Sequence, residues 1–242
     1  EALELDLEDA GAFLAPATGI VRNAGLIETR AAFGAAEDED TPPNVQPALF
    51  AVMEGGAVEN SGTLRAEDYT VVLAGDATLR NSGLIEALDL EGDGPANALL
   101  LDGPGAFTVE NSGVIRGDVT FVTIGGALTN NGAITGELRV GDGISLGFET
   151  VRDFTLNVGF DGVLGSDPEQ DHSIVLVGDS GALGALTMTS NGAVKGGINA
   201  LARGATIVLG EDSTIETRND VALSTIGTVG VALAGAIRSE ER

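Results

Sequence analysis

The sequence predicts an all-β chain, a right-handed single-stranded parallel β-helix (a solenoid) with coils of about 20–30 residues. Three observations carry this: a short unit recurs along the chain, its apolar positions step by two, and few aromatic residues break the pattern. The unit reads V-R-N-A-G-L-I-E at 21–28, V-E-N-S-G-T-L-R at 58–65 and L-R-N-S-G-L-I-E at 79–86. It returns as V-E-N-S-G-V-I-R at 109–116 and L-T-N-N-G-A-I-T at 128–135. A worn copy, M-T-S-N-G-A-V-K at 188–195, has Ser190 in place of the asparagine.

Apolar residues two and four apart lie on one face of a strand, so both flanks of each unit read as strand. The central N-x-G reads as turn chemistry, with glycine expected at positive φ and asparagine bonding nearby backbone. Five corner asparagines, Asn23, Asn60, Asn81, Asn111 and Asn130, and five glycines, Gly25, Gly62, Gly83, Gly113 and Gly132, are therefore the candidate structural sites. Asparagines stacked at one corner are expected to form an amide ladder.

The asparagines fall 37, 21, 30 and 19 residues apart, and Ser190 lies 60 beyond Asn130. A degenerate copy at 158–164 falls midway, and two more close the chain at 209–215 and 231–237. About twenty residues at ~3.3 Å each make a loop of roughly 66 Å, which suits three short strands with their corners. A propeller blade needs roughly 40 residues and usually an aromatic signature, and this chain has no Trp and one Tyr. Stacking like on like favours small aliphatic residues inside. Handedness follows the crossover preference of parallel strands.

The run of I/L-x-N-S-G-x-I units resembles the passenger regions of autotransporter proteins, β-helical surface adhesins of Gram-negative bacteria. The resemblance spans about residues 20–237 and implies a secreted or cell-surface location at the outer membrane. It also implies a fragment of a longer chain. The membrane barrel that closes that family, with its long amphipathic strands, is not visible in this sequence. A structural or adhesive role follows, with an unknown surface ligand or glycan as partner and homotypic end-to-end or lateral association into filaments as a further expectation.

The 37 acidic and 12 basic residues leave a formal charge of −25. That disfavours nucleic acid, whose binding depends on Lys and Arg neutralising phosphates, and anionic membrane surfaces equally. Solubility of an edge-rich β protein is the ordinary use of such charge. No apolar run is long enough for a membrane-spanning helix. Cysteine is absent, which removes disulfides and thiolate metal sites. The 242 residues are read as one domain, since a solenoid needs no single compact core.

Along the chain, residues 2–7 alternate as a half-buried strand. Insertion loops are expected near 34–47, where three of the seven prolines sit, near 89–95, and near 165–172. Strands are expected around 48–53, 98–101, 119–124 and 173–177.

No catalytic set is expected, and the chain is read as no enzyme. Gly178-Asp179-Ser180-Gly181 matches a serine-protease nucleophile motif, but the single His172 lies across a strand from it. The stretch 89–94, D-L-E-G-D-G, opens like a calcium loop, yet Leu100 stands where a bidentate Glu is required. Arg116 and Arg139 show no evident partner in the sequence. A β-helical polysaccharide-degrading enzyme, with carboxylates gathered from different coils, is the alternative. Acidic residues recur about six to twelve positions after the corners from Asn60 onward, among them Glu67, Asp118 and Glu137, with Glu37 to Asp40 later in the first coil, and equal phase predicts an acidic ridge. Ca²⁺ on that ridge is the one cofactor considered; none is otherwise expected.

Overall fold

The computed structural model describes residues 12–29, 47–67, 69–88, 96–141, 153–165, 174–177, 185–201, 204–217, 223–225 and 228–239. Within them the chain is all-β, its strands run parallel in two sheets, and no helix occurs. The strand expected at 2–7, most of each insertion loop, His172, the 178–181 motif and the 89–94 motif lie outside the described residues.

The larger sheet is ordered β1 (Ala12–Asn23), β3 (Leu49–Asn60), β5 (Tyr69–Asn81), β7 (Asn97–Asn111) and β9 (Asp118–Asn130). It continues through β11 (Leu138–Val140), β14 (Ile174–Val177), β17 (Ile198–Leu201) and β20 (Leu223–Thr225). A branch leaves β9 through β12 (Phe154–Val158), β15 (Ala185–Ser190), β18 (Gly204–Leu209) and β21 (Thr228–Leu233). The second sheet holds β2 (Leu26–Glu28), β4 (Thr63–Glu67), β6 (Leu84–Leu88), β8 (Val114–Arg116) and β10 (Ala133–Ile134). It ends with β13 (Val163–Leu164), β16 (Ala193–Lys195), β19 (Thr214–Thr217) and β22 (Ala236–Ser239).

The branch explains where the third strand of each repeat went. In the early repeats two segments run on as one long strand, bent where the register slips between Glu54 and Ala57, Ala74 and Ala77, and Gly103 and Ala106. Glycines at positive φ (Gly55, Gly56, Gly75, Gly103) sit at those bends, where a Cβ would be strained. From β9 onward the two segments separate. The N-terminal half of β9 pairs with β11 and its C-terminal half with β12.

Inward positions of every repeat stack in register. Val58, Leu79, Val109, Leu128 and Leu156 follow one another, as do Leu64, Ile85, Ile115, Ile134 and Leu164. All are buried, and each contributes about 1.5–3 kcal/mol by leaving water. The interior is not all small aliphatics, however. Phe107, Phe121 and Phe154 are fully buried, and Phe121 meets Phe154 edge-on with centroids 4.9 Å apart. Gly126 makes room: it lies in register between Phe107 and Phe154, and a Cβ there would come within 3.4 Å of the Phe121 ring. A missing side chain on one strand admits a ring from another part of the same repeat.

The corner glycines depart from expectation. None of Gly25, Gly62, Gly83, Gly113 and Gly132 is at positive φ. The asparagine does bond nearby backbone, as from Asn81 Nδ2 to Gly83 O at 3.3 Å, but the corner's main-chain amides bond to the preceding repeat: Ser82 N and Gly83 N both donate to Asn60 O, at 2.8 and 3.2 Å, and Leu84 N donates to Gly62 O at 2.9 Å. Glycine is needed for approach instead. A Cβ on Gly83 would collide with the carbonyl oxygen of Gly62, and one on Gly113 with that of Gly83. Gly25, on the first described repeat, would meet nothing within 4 Å. Gly83→Ala is therefore expected to lose about 1–3 kcal/mol in chemical denaturation, the ordinary cost of overpacking. Gly25→Ala should stay within about 0.5 kcal/mol. Equal losses at both would restore a conformational explanation.

Candidate functional site: the asparagine corner

Each corner asparagine ends a strand of the larger sheet with its side chain turned inward. Asn60, Asn81, Asn111 and Asn130 are buried, and a buried amide has to find partners for both its ends. It does so along the stack. Asn23 Nδ2 donates to Asn60 Oδ1 at 2.8 Å, Asn60 to Asn81 at 2.7 Å, Asn81 to Asn111 at 2.8 Å and Asn111 to Asn130 at 2.8 Å. The second amide hydrogen reaches main-chain carbonyls past the corner, as from Asn60 to Leu84 O at 3.2 Å and from Asn130 to Val163 O at 2.9 Å. The structure thus brings all five asparagines into one line.

The line continues in register as Val158, Ser190, Leu209 and Leu233. Val158 carries no amide, so the ladder stops at Asn130. Ser190 opens a shorter arrangement in which Ser213 Oγ donates to Ser190 Oγ at 3.0 Å. Removing one rung from the middle leaves two neighbours short of a partner. Asn81→Leu should cost about 1–3 kcal/mol, the penalty for stranded buried polar groups, measured by urea denaturation. A loss no larger than a few tenths would show that the ladder contributes nothing net.

Two charged columns flank the ladder, and of their residues only Arg116 was weighed from the sequence. On the larger sheet Arg22 Nε meets Glu59 Oε2 at 2.7 Å, Arg80 Nη1 lies 3.8 Å from Glu59 Oε1, and Arg80 Nε meets Glu110 Oε2 at 3.1 Å. On the second sheet Arg65 lies 3.7 Å from Glu28 and 2.6 Å from Glu86, and Arg116 meets Glu86 at 2.8 Å. Arg116 and Arg139, read as unpartnered, are both paired. Arg139 Nη2 lies 2.7 Å from Glu137 Oε2 and 3.6 Å from Asp118 Oδ2. The sequence did hold the signal: the residue before each of the first four corner asparagines runs Arg, Glu, Arg, Glu, and the third residue after each of the first four glycines runs Glu, Arg, Glu, Arg.

Between the outer column and the corner runs an open groove of about 530 Å³, with Arg22, Glu59, Arg80 and Glu110 on one wall. Ser82 and Ser112 lie on the other, each with its Oγ directed at a carbonyl of the preceding repeat, Asn60 O at 3.3 Å and Asn81 O at 3.4 Å. The groove's cations are guanidinium groups, which do not release a proton in proteins, and its carboxylates Glu59 and Glu110 are paired with them.

Of the expected acidic ridge, Asp118 and Glu137 occupy equal positions on successive repeats. Their strands pair Leu138 with Val119, and Glu137 N donates to Asp118 Oδ1 at 2.8 Å. Arg139 lies between the carboxylates, in the place a cation would take. Burial pushes the Asp118 carboxyl above its usual range, against the Glu137 amide and the Arg139 charge, and burial does the same to Asp102. Among the described residues no group of three or more acidic or histidine side chains is gathered to hold a metal ion.

Comparison with known protein families, with curated proteins and with solved structures found no match.

The hydrogen bond from Arg116, with Arg65 beside it, holds the Glu86 carboxyl below its ordinary range in spite of burial. A depressed carboxylate stabilises the fold above its unfolded pKa of about 4.3, and that contribution is lost as pH falls through the lower folded value. Glu86→Gln should therefore cost about 1–3 kcal/mol at pH 7, and the gap to the parent protein should close under acid. Denaturation midpoints across pH check this; a gap that does not change with pH would remove the charge from the explanation.

Proposed function

We propose that the chain is a right-handed parallel β-helix that serves as a structural or adhesive module outside the cell, of the kind found in autotransporter passengers, and that it performs no catalysis. The observation that supports this most is how the corner's chemistry is used. Amides, guanidinium groups and carboxylates bond from repeat to repeat, where an active site would aim them at a common point. The Glu86 carboxyl, held low by arginine, is a poor proton donor at neutral pH. A stack of this kind is a stiff spacer whose outer faces stay available for contact.

End-to-end association is a second reading. Leu26 and Leu233, 59% and 55% exposed, and Ile20, Val231 and Ile237 all lie at the two ends of the described sheets. An exposed strand edge beside apolar side chains is a template for another strand.

Beads coated with the 242-residue protein should adhere to at least one class of immobilised surface, drawn from matrix proteins, glycans and the protein itself. The same protein should release no reducing ends or unsaturated products from a polysaccharide panel. Turnover above a heat-denatured control would favour the enzyme alternative and overturn the adhesive reading.

A further inference from the structure

The outer face of the larger sheet changes character halfway along. In the column that carries Arg22, Glu59, Arg80 and Glu110, the next repeats hold Thr129, Asn157, Thr189 and Val208. The neighbouring outward column holds Ala127, Thr155, Thr187 and Thr206 across the same repeats. Thr187, Thr206 and Val208 are exposed, and the others are partly so. A chain with a net charge of −25 thus presents two adjacent outward columns with no ionised group in them, bordered on one side by the exposed Asp153. Its side chains recur every ~4.8 Å across the strands and roughly 6.6 Å along each. At the corner bounding this patch stands Phe160, three residues after Asn157 and 70% exposed, the most exposed of the large apolar side chains among the described residues.

We propose that this patch, with Phe160 at its rim, binds a neutral polysaccharide. The inference rests on the adhesive reading and names its ligand class. Threonine offers a methyl group and a hydroxyl that both donates and accepts, and asparagine offers an amide that does the same. A sugar chain presents the matching alternation of C–H and hydroxyl groups along a flat ribbon. The electron-rich face of an exposed phenylalanine attracts the weakly positive C–H face of a pyranose ring. Polyanions are excluded: the net charge repels them, and Asp161, Glu211 and Asp212 stand at the same corner as Phe160. A polycation would be drawn to those acids, where the uncharged patch gives it nothing.

The test is depletion of the 242-residue protein from solution by washed cellulose, chitin and curdlan, with alginate gel as the anionic comparison. Binding to at least one neutral polymer and none to alginate is expected, with little change on adding about 0.5 M NaCl, since no ion pair is involved. Phe160→Ala and the outward pair Thr187→Glu/Thr189→Glu should each weaken binding by about tenfold or more, with melting temperatures close to that of the parent protein. Parental affinity in both variants would overturn the proposal. So would failure on all three neutral polymers by protein whose coated beads still adhere to another surface. Beads that adhere to nothing would instead sink the adhesive reading itself.

Discussion

Everything in this structure depends on one constraint: each residue lies directly over its counterpart in the next repeat, about 4.8 Å away. At that distance a side chain has to tolerate its own kind as a neighbour. Aliphatic residues do so by contact, which is why the inward columns hold valine, leucine and isoleucine. Asparagine does so because it is donor at one end and acceptor at the other, so a column of asparagines satisfies itself. Glycine does so by having no Cβ, which lets the corner of one repeat rest on the carbonyl of the last. Like charges repel at that spacing, and the two columns beside the ladder alternate in sign; where Asp118 and Glu137 do stack, Arg139 stands beside both carboxylates, and the stacked pair Glu54 and Asp76 is exposed to solvent.

The buried amide ladder is also the most demanding of these columns. An amide that has left water depends on every neighbour being present, and low local dielectric raises both the strength of the filled network and the cost of a gap. That accounts for the form of its ending. It does not fade through isolated asparagines: after Asn130 the column passes to Val158, and the last amide turns to a main-chain carbonyl. Beyond, Ser190 finds its own partners in Gly192 O and Ser213 Oγ, and Leu209 and Leu233 hold the position with hydrocarbon. A full column of amides or a column with none satisfies its members, whereas alternation of the two would not.

The asparagine and glycine positions, the parallel strands and even the degenerate repeats at 158–164, 209–215 and 231–237 were legible from spacing, because stacking writes the same position into every repeat. What was misread came from treating each repeat alone. Gly83 looked like a turn glycine, but its need is set by Gly62 below it. Arg116 looked solitary because its partner Glu86 lies 30 residues away in sequence and one repeat away in space. Phe121 broke the expectation of a ring-free interior because the space it fills is vacated by Gly126 on another segment. The groove beside the corner was not legible at all, since it is formed by side chains of several repeats at once. Asp118 stood in the expected acidic phase, but nothing in its spacing indicated that Arg139 would lie beside it.

Near-identical repeats carry a hazard that the alternating charges answer. A strand such as β5 offers its edge almost the same pattern as β3 or β7, so hydrophobic matching alone would let one repeat be skipped in pairing. With the native order, Arg22 meets Glu59 and Glu59 meets Arg80. With one repeat omitted, Arg22 would face Arg80 on the larger sheet while Glu28 faced Glu86 on the second. The two columns run in antiphase, so a skip brings arginine against arginine on one flank and glutamate against glutamate on the other. Each such pair repels by on the order of 1 kcal/mol even at the dielectric of water. The correct order gains two attractive contacts where the wrong one has two repulsive ones, a difference large enough to bias the pairing. Surface ion pairs add little to stability singly. Arranged this way, their chief effect is on specificity, by raising the energy of the alternatives that the repeats would otherwise allow.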